Sequence, residues 1–112
     1  MRRNYRLVRG TDLTPSETFI ARDCGGNIID LTGATISWRI GPRGRFTTSV
    51  TKSIGDGITV VVAADGSYTL SLPAADTASL KPGRYRHAVE VTKSGAVNLV
   101  QEGTITLERD LP

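Results

Sequence analysis

Apolar and polar residues alternate along most of the chain with a period of two, and turn-forming pairs break the alternation at short intervals. Over residues 35–40, Ile36, Trp38 and Ile40 alternate with Thr35, Ser37 and Arg39. That period places one apolar and one polar face on an extended segment, as in a half-buried strand. The same pattern sets Tyr85, His87, Val89 and Val91 against Arg84, Arg86, Ala88, Glu90 and Thr92. A turn at Ser94-Gly95 then leads into strands over 97–102 and 104–107, with Ile105 and Leu107 on one face and Gly103 marking a bulge or bend. Residues 4–8 read as a first strand, and 18–22 with 27–30 as a hairpin about Cys24-Gly25-Gly26-Asn27. Residues 46–52 alternate weakly, with Phe46, Thr48 and Val50 on one side, and suit an edge strand. The apolar run 58–63 continues through Asp65-Gly66, a pair suited to a tight hairpin turn, into 67–72 with Tyr68, Leu70 and Leu72 on one face. Residues 73–80 leave the pattern for a single short helical turn capped by Asp76 or Thr77 and ended by Pro82-Gly83.

Seven to eight short strands with one helical turn predict an all-β domain, an antiparallel sandwich with Greek-key connections. The predicted core is Ile36, Trp38, Ile40, Tyr68, Leu70, Tyr85, Val89 and Val91. Tyr85 is expected to bury its ring and place its hydroxyl on nearby backbone. Asp30-Leu31-Thr32-Gly33 closes one strand and turns the chain, with Thr32 bonding locally. The 112 residues fit one domain, divided into a basic arm with the first strand over 1–17 and the sandwich over 18–112. An apolar fraction of 38% excludes strong disorder, and no apolar run is long enough to span a membrane. No apolar region follows the N-terminal arginines, so export by a signal peptide is not expected. The single cysteine, Cys24, excludes an intramolecular disulfide and fits synthesis in a reducing cytoplasm.

The net charge of +3 is distributed unevenly. Arg2, Arg3, Arg6 and Arg9 crowd the first ten residues without an acid, and Arg39, Arg43 and Arg45 surround a turn. An arginine-rich arm suits docking on an acidic neighbour, because the guanidinium pairs with carboxylates through two contacts. Nucleic acid would attract the same residues, but no stacking surface or recognition helix accompanies them, and a nucleic-acid partner is not expected. The bland alternative is a solvated tail. The loop with Arg43, Arg45 and Phe46 offers a second class of function, binding of carbohydrate or a host surface.

Catalytic chemistry finds little support. His87 is the only histidine and has no spaced partner for a metal site. No Gly-x-Ser-x-Gly segment or Gly-x-x-x-x-Gly-Lys phosphate loop is present. Asp56, Asp65 and Asp76 lie outside any loop dense in oxygen ligands and read as turn and cap residues. Cys24 sits beside Asp23 in the Gly-Gly turn and reads as a passive turn cysteine. No catalytic residue, metal or cofactor is therefore expected.

The run from Asp23-Cys24-Gly25-Gly26-Asn27 to Asp30-Leu31-Thr32-Gly33-Ala34-Thr35-Ile36 is followed by Asp65-Gly66-Ser67-Tyr68-Thr69-Leu70, then Ala74-Ala75-Asp76-Thr77. Pro82-Gly83-Arg84-Tyr85-Arg86, Val89-Glu90-Val91-Thr92 and Glu102-Gly103-Thr104-Ile105 complete the order. This ordered set, across residues 18–107, resembles the N-terminal domain of phage baseplate upper proteins and similar immunoglobulin-like modules of phage structural proteins. The resemblance implies an immunoglobulin-like sandwich located in the virion after synthesis in the bacterial cytoplasm. It also implies other virion proteins as partners and a homo-oligomeric ring or trimer on the particle. In that family the domain is often the attachment end of a longer, receptor-binding or fibre-bearing protein. With no such part after residue 107, the expected role is a small docking piece on the head, neck, tail or baseplate. The segments expected to dock are 2–9, 46–52 and 109–112.

Overall fold

The computed structural model describes residues 2–8, 10, 17–42 and 50–108. Its strands are β1 (Tyr5–Val8), β2 (Phe19–Ile20), β3 (Thr35–Pro42), β4 (Val50–Ile54), β5 (Gly57–Val62), β6 (Ser67–Leu70), β7 (Gly83–Lys93) and β8 (Ala96–Glu108). A 3-10 turn spans Ala63–Asp65, and the short helix α1 spans Ala74–Ala78. The fold is all-β, as the alternation predicts.

The strands form one ladder in the order β1-β8-β7-β3-β4-β5-β6-β2. It is curled over its own buried face. Tyr68 on β6 hydrogen-bonds Gln101 on β8 at 2.8 Å, although five places separate those strands in the ladder. The curl is made at the β4–β5 step, where only Ser53↔Gly57 and Ile54↔Ile58 pair, in parallel. Two residues separate these strands, too few for a true parallel crossover, so the step is a bend by which the chain passes from one layer to the other. One layer is thus β1-β8-β7-β3-β4 and the other β5-β6-β2, with α1 on the connection from β6 to β7. That connectivity is immunoglobulin-like.

The pairing is not antiparallel throughout. Besides the β4–β5 step, β1 runs parallel to β8, from Tyr5↔Ile105 to Val8↔Glu108, so the sheet is mixed. Of the segment 46–52, expected at an edge, residues 46–49 lie outside the described residues and 50–52 belong to β4, which lies between β3 and β5; β1 and β2 are the outermost strands of the ladder. The hairpin expected over 18–30 is reduced to β2 and an isolated Arg22↔Ile28 bridge, with Asp23 Oδ1 accepting from the backbone N–H groups of Gly25 and Asn27. Asp65-Gly66 forms no two-residue turn. Asp65 is the last residue of the 3-10 turn, and Gly66 closes that turn in the left-handed region at φ 70°. A side chain there would also meet the Ile29 carbonyl at 2.6 Å, so only glycine fits.

The core holds Ile36, Trp38, Ile40, Tyr68, Leu70, Tyr85, Val89 and Val91 together with Phe19, Ala21, Leu31, Ile58, Leu72, Val100, Ile105 and Leu107. Facing pairs on β3 and β7 stack it in rows: Ile36↔Val91, Trp38↔Val89 and Ile40↔His87. A bulge on β8 interrupts the register, where Val89 pairs Gln101 but Glu90 pairs Leu99. The extra residue is Val100, so Val100 and Gln101 are buried in succession and the inward parity switches. Val97 and Leu99 face out before it; Ile105 and Leu107 face in after it. The bulge expected at Gly103 is therefore three residues away. Gly103 has a different constraint, since a Cβ there would collide with the Arg3 carbonyl. The absence of a side chain lets the N-terminal segment lie against β8.

The helix caps also differ from expectation. Pro73 stands at the N-cap of α1 without a side-chain bond. Thr77 Oγ1 instead donates to the Ala74 carbonyl and accepts from the Gly10 N–H, at 3.0 Å each. Asp76 reaches Lys52 of β4 in an ion pair. In the turn after β2, it is the Asp30 carboxylate that accepts, from the Thr32 N–H at 2.9 Å.

Candidate interaction surface

The polar groups of the interior are turned on one another. Trp38 Nε1–H donates to His87 Nδ1 at 3.2 Å, and His87 Nε2 lies 2.6 Å from the Arg3 carbonyl oxygen. An indole nitrogen can only donate, so Nδ1 is the acceptor and the proton sits on Nε2, bonded to Arg3. The ring is thus neutral with both nitrogens satisfied, and Tyr5 packs on it at 5.4 Å between centroids. Burial pushes the imidazole below its usual range, against the opposing effects of the Arg3 carbonyl and the Glu102 charge.

Beside it, Tyr68 donates to Gln101 Oε1, and Gln101 Nε2 donates to the Tyr5 hydroxyl at 3.4 Å. Burial raises the pKa of both phenols. Tyr85 donates its hydroxyl to the Lys81 carbonyl at 2.6 Å, a tyrosine corner at the start of β7. In antibody domains the position two residues after that tyrosine holds one half of the inter-sheet disulfide. Here His87 occupies that position and engages Trp38 instead.

The sequence candidates fall into three groups. Arg2, Arg3 and Arg6 belong to a segment that lies along β8 as part of the sheet. The backbone of Arg2 forms a parallel β-bridge with Glu102, and the Arg3 N–H donates to the Glu102 carbonyl at 2.8 Å. The Arg3 side chain pairs with Glu17 and lies over the Tyr5 ring, and Arg6 pairs with Glu108 at 3.2 Å. Arg9, Arg43, Arg45 and Phe46, with the tail 109–112, lie outside the described residues. Cys24 is exposed at a turn.

Arg84 and Arg86, which the sequence shows only as the polar half of an alternation, acquire a new setting. They point outward from β7, and β3 brings the exposed Arg39 beside them, since Arg39 pairs with Ala88 and Gly41 with Arg86. On the other side Arg84 pairs with Thr106, which in turn pairs with Arg6. Arginines distant in sequence therefore share the outer face of one layer. The signal available in the sequence was the alternation itself, which places Arg39, Arg84 and Arg86 opposite core positions; only the register joins them. Among the described residues no ion pair engages Arg39, Arg84 or Arg86, and no aromatic ring is fully exposed. No group of three or more potential metal ligands is found among the described residues.

Fold and surface together define an immunoglobulin-like β-sandwich with a basic outer face. No family model matches the chain, and a search of curated proteins finds no match.

Proposed function

We propose that this chain is a structural docking module of a tailed-phage particle, seated on the head, neck, tail or baseplate among other virion proteins. The observation that carries this reading is a contrast within the molecule. The interior polar groups His87, Trp38, Tyr68 and Gln101 bond to one another or to backbone, while Arg39, Arg84 and Arg86 on an outer sheet face have no ion-pair partner among the described residues. A site for chemistry needs polar groups aimed at a ligand; a docking module needs a rigid core and an unsatisfied surface. The ordered resemblance of residues 18–107 to phage structural modules supplies the particle context.

Mass spectrometry of purified particles from the phage or prophage that encodes the chain tests the reading, together with light scattering of the purified protein. The chain is expected in the particles and as an oligomer in solution. A monomer absent from the particles refutes the proposal.

A further inference from the structure

We infer that the outer face of β8, β7 and β3 is a docking surface for an acidic protein segment that carries apolar side chains; this rests on the docking reading above. The face has two ends. At one end Arg39, Arg84 and Arg86 are exposed, with Arg6 one strand beyond β8. Alternate residues on a strand lie about 7 Å apart and neighbouring strands about 4.8 Å apart, so successive guanidinium groups start roughly 7–10 Å from one another. At the other end, beyond the bulge, Val97 and Leu99 are 59% and 51% exposed. They flank Thr92 and Glu90, their partners on β7.

The charge of the face selects the occupant. By strand parity the outward residues include Arg2, Arg6, Arg39, Arg84 and Arg86 against Glu90, Glu102 and Glu108, five cations to three anions. Arg6 and Glu108 pair with each other, which leaves four cations to two anions. A second copy packed on this face about a two-fold axis parallel to the strands would set arginines against arginines. About an axis across the strands it would set them against Val97 and Leu99. Neither supplies the guanidinium groups with a row of carboxylates. A different polypeptide can supply that row. No lysine lies on the outer positions of these strands. Arginine is enriched and lysine depleted at protein interfaces, where the planar guanidinium pairs with carboxylates in two-point contacts. Duplex DNA also attracts arginine, but it is read by an element that enters a groove. Here β7 and β8 lie within the ladder between β1 and β3, and the arginines continue into exposed valine and leucine. An acidic chain with interspersed apolar residues matches both ends.

The test measures binding of the full chain to immobilised poly-L-glutamate, to a glutamate–tyrosine copolymer and to random duplex DNA, all at the same salt concentration. The copolymer should bind more tightly than polyglutamate, and DNA more weakly than either. The R84E/R86E pair should weaken copolymer binding at least tenfold. R22E/K81E, with the same charge change elsewhere on the surface, should weaken it less than twofold. V97S/L99S should abolish the preference for the copolymer. If either charge-reversal pair fails to fold by circular dichroism, its glutamine counterpart, R84Q/R86Q or R22Q/K81Q, replaces it.

Equal effects of the two charge-reversal pairs, or tighter binding to DNA, overturn the inference. Those failures leave the virion reading untouched. Absence of the chain from particles removes the virion reading without changing what the face binds.

Discussion

Replacing His87 by leucine is the sharpest test of how the interior is held together. Leucine is similar in bulk and apolar, so the change chiefly removes two hydrogen bonds. It leaves the Trp38 indole N–H, on a fully buried ring, without its acceptor, and the Arg3 carbonyl without its donor. A buried orphan costs about 1–3 kcal/mol, and the Arg3 carbonyl, on a half-buried segment, falls at the lower end because water can reach it. Allowing for the apolar gain from leucine, the expected loss is about 2–4 kcal/mol, a large share of the roughly 5–15 kcal/mol that holds a domain folded. At about 4 °C per kcal/mol for a domain of this size, the melting temperature should fall by roughly 8–16 °C.

Trp38 is the only tryptophan, so urea unfolding followed by its fluorescence reports the event directly. The pH dependence has a definite sign. The folded pKa of His87 is lowered from the ordinary 6.5, so its contribution is complete above 6.5 and is lost as pH falls through the lower folded value. Protonation would place a second donor against the Trp38 N–H. The gap between wild type and His87→Leu should therefore narrow on acidification. A variant within about 0.5 kcal/mol of wild type at pH 7.5, near the limit for unremarkable surface changes, would show that the Trp38–His87–Arg3 chain of bonds does not hold the strands.

Three further substitutions probe separate parts of the fold. Gly103→Ala puts a methyl group into the Arg3 carbonyl and should release residues 2–4 from β8, lowering stability by about 2 kcal/mol. Hydrogen exchange should show protection lost at the Arg3 amide, whereas unchanged exchange would contradict the close approach. Tyr85→Phe removes the bond to the Lys81 carbonyl and should cost about 1–2 kcal/mol by denaturant titration, with the ring packing retained. Lys52→Met leaves the Asp76 carboxylate without its main partner between β4 and α1, at a cost of about 2 kcal/mol. The Asp76 bond raises the Lys52 pKa above the ordinary 10.5, so the cost should be full below that value and shrink as pH rises through the folded pKa. A cost that stayed constant to pH 12 would point to packing instead.

Much of the architecture is legible in local pattern, because strand alternation is a property of neighbouring residues. Ile36-Trp38-Ile40 and Tyr85-His87-Val89-Val91 declare their buried face, since a side chain and its second neighbour must share a side of the sheet. The all-β class, the main strands and the predicted core positions follow from that period. An inward tyrosine beside a turn also calls for a nearby backbone acceptor, and the structure makes it the Lys81 carbonyl.

Register, curl and close approach are tertiary, and each escaped a one-dimensional reading. The β8 bulge at Val100 depends on how two strands accommodate each other, and so does the switch that leaves Val97 and Leu99 outside. Gly103 reads as a bulge signal, yet its role is to admit the Arg3 backbone from the far end of the chain. The parallel run of β1 beside β8 makes the arginine-rich segment part of the sheet, an attachment that its local alternation does not specify. The basic face shows this most clearly. The sequence determined that Arg39, Arg84 and Arg86 each lie opposite a core position, whereas only the pairing of β3 with β7 and of β1 with β8 decided that they and Arg6 share one surface. Long-range hydrogen-bond register is chosen by the packing of the whole core, and no local pattern carries that information.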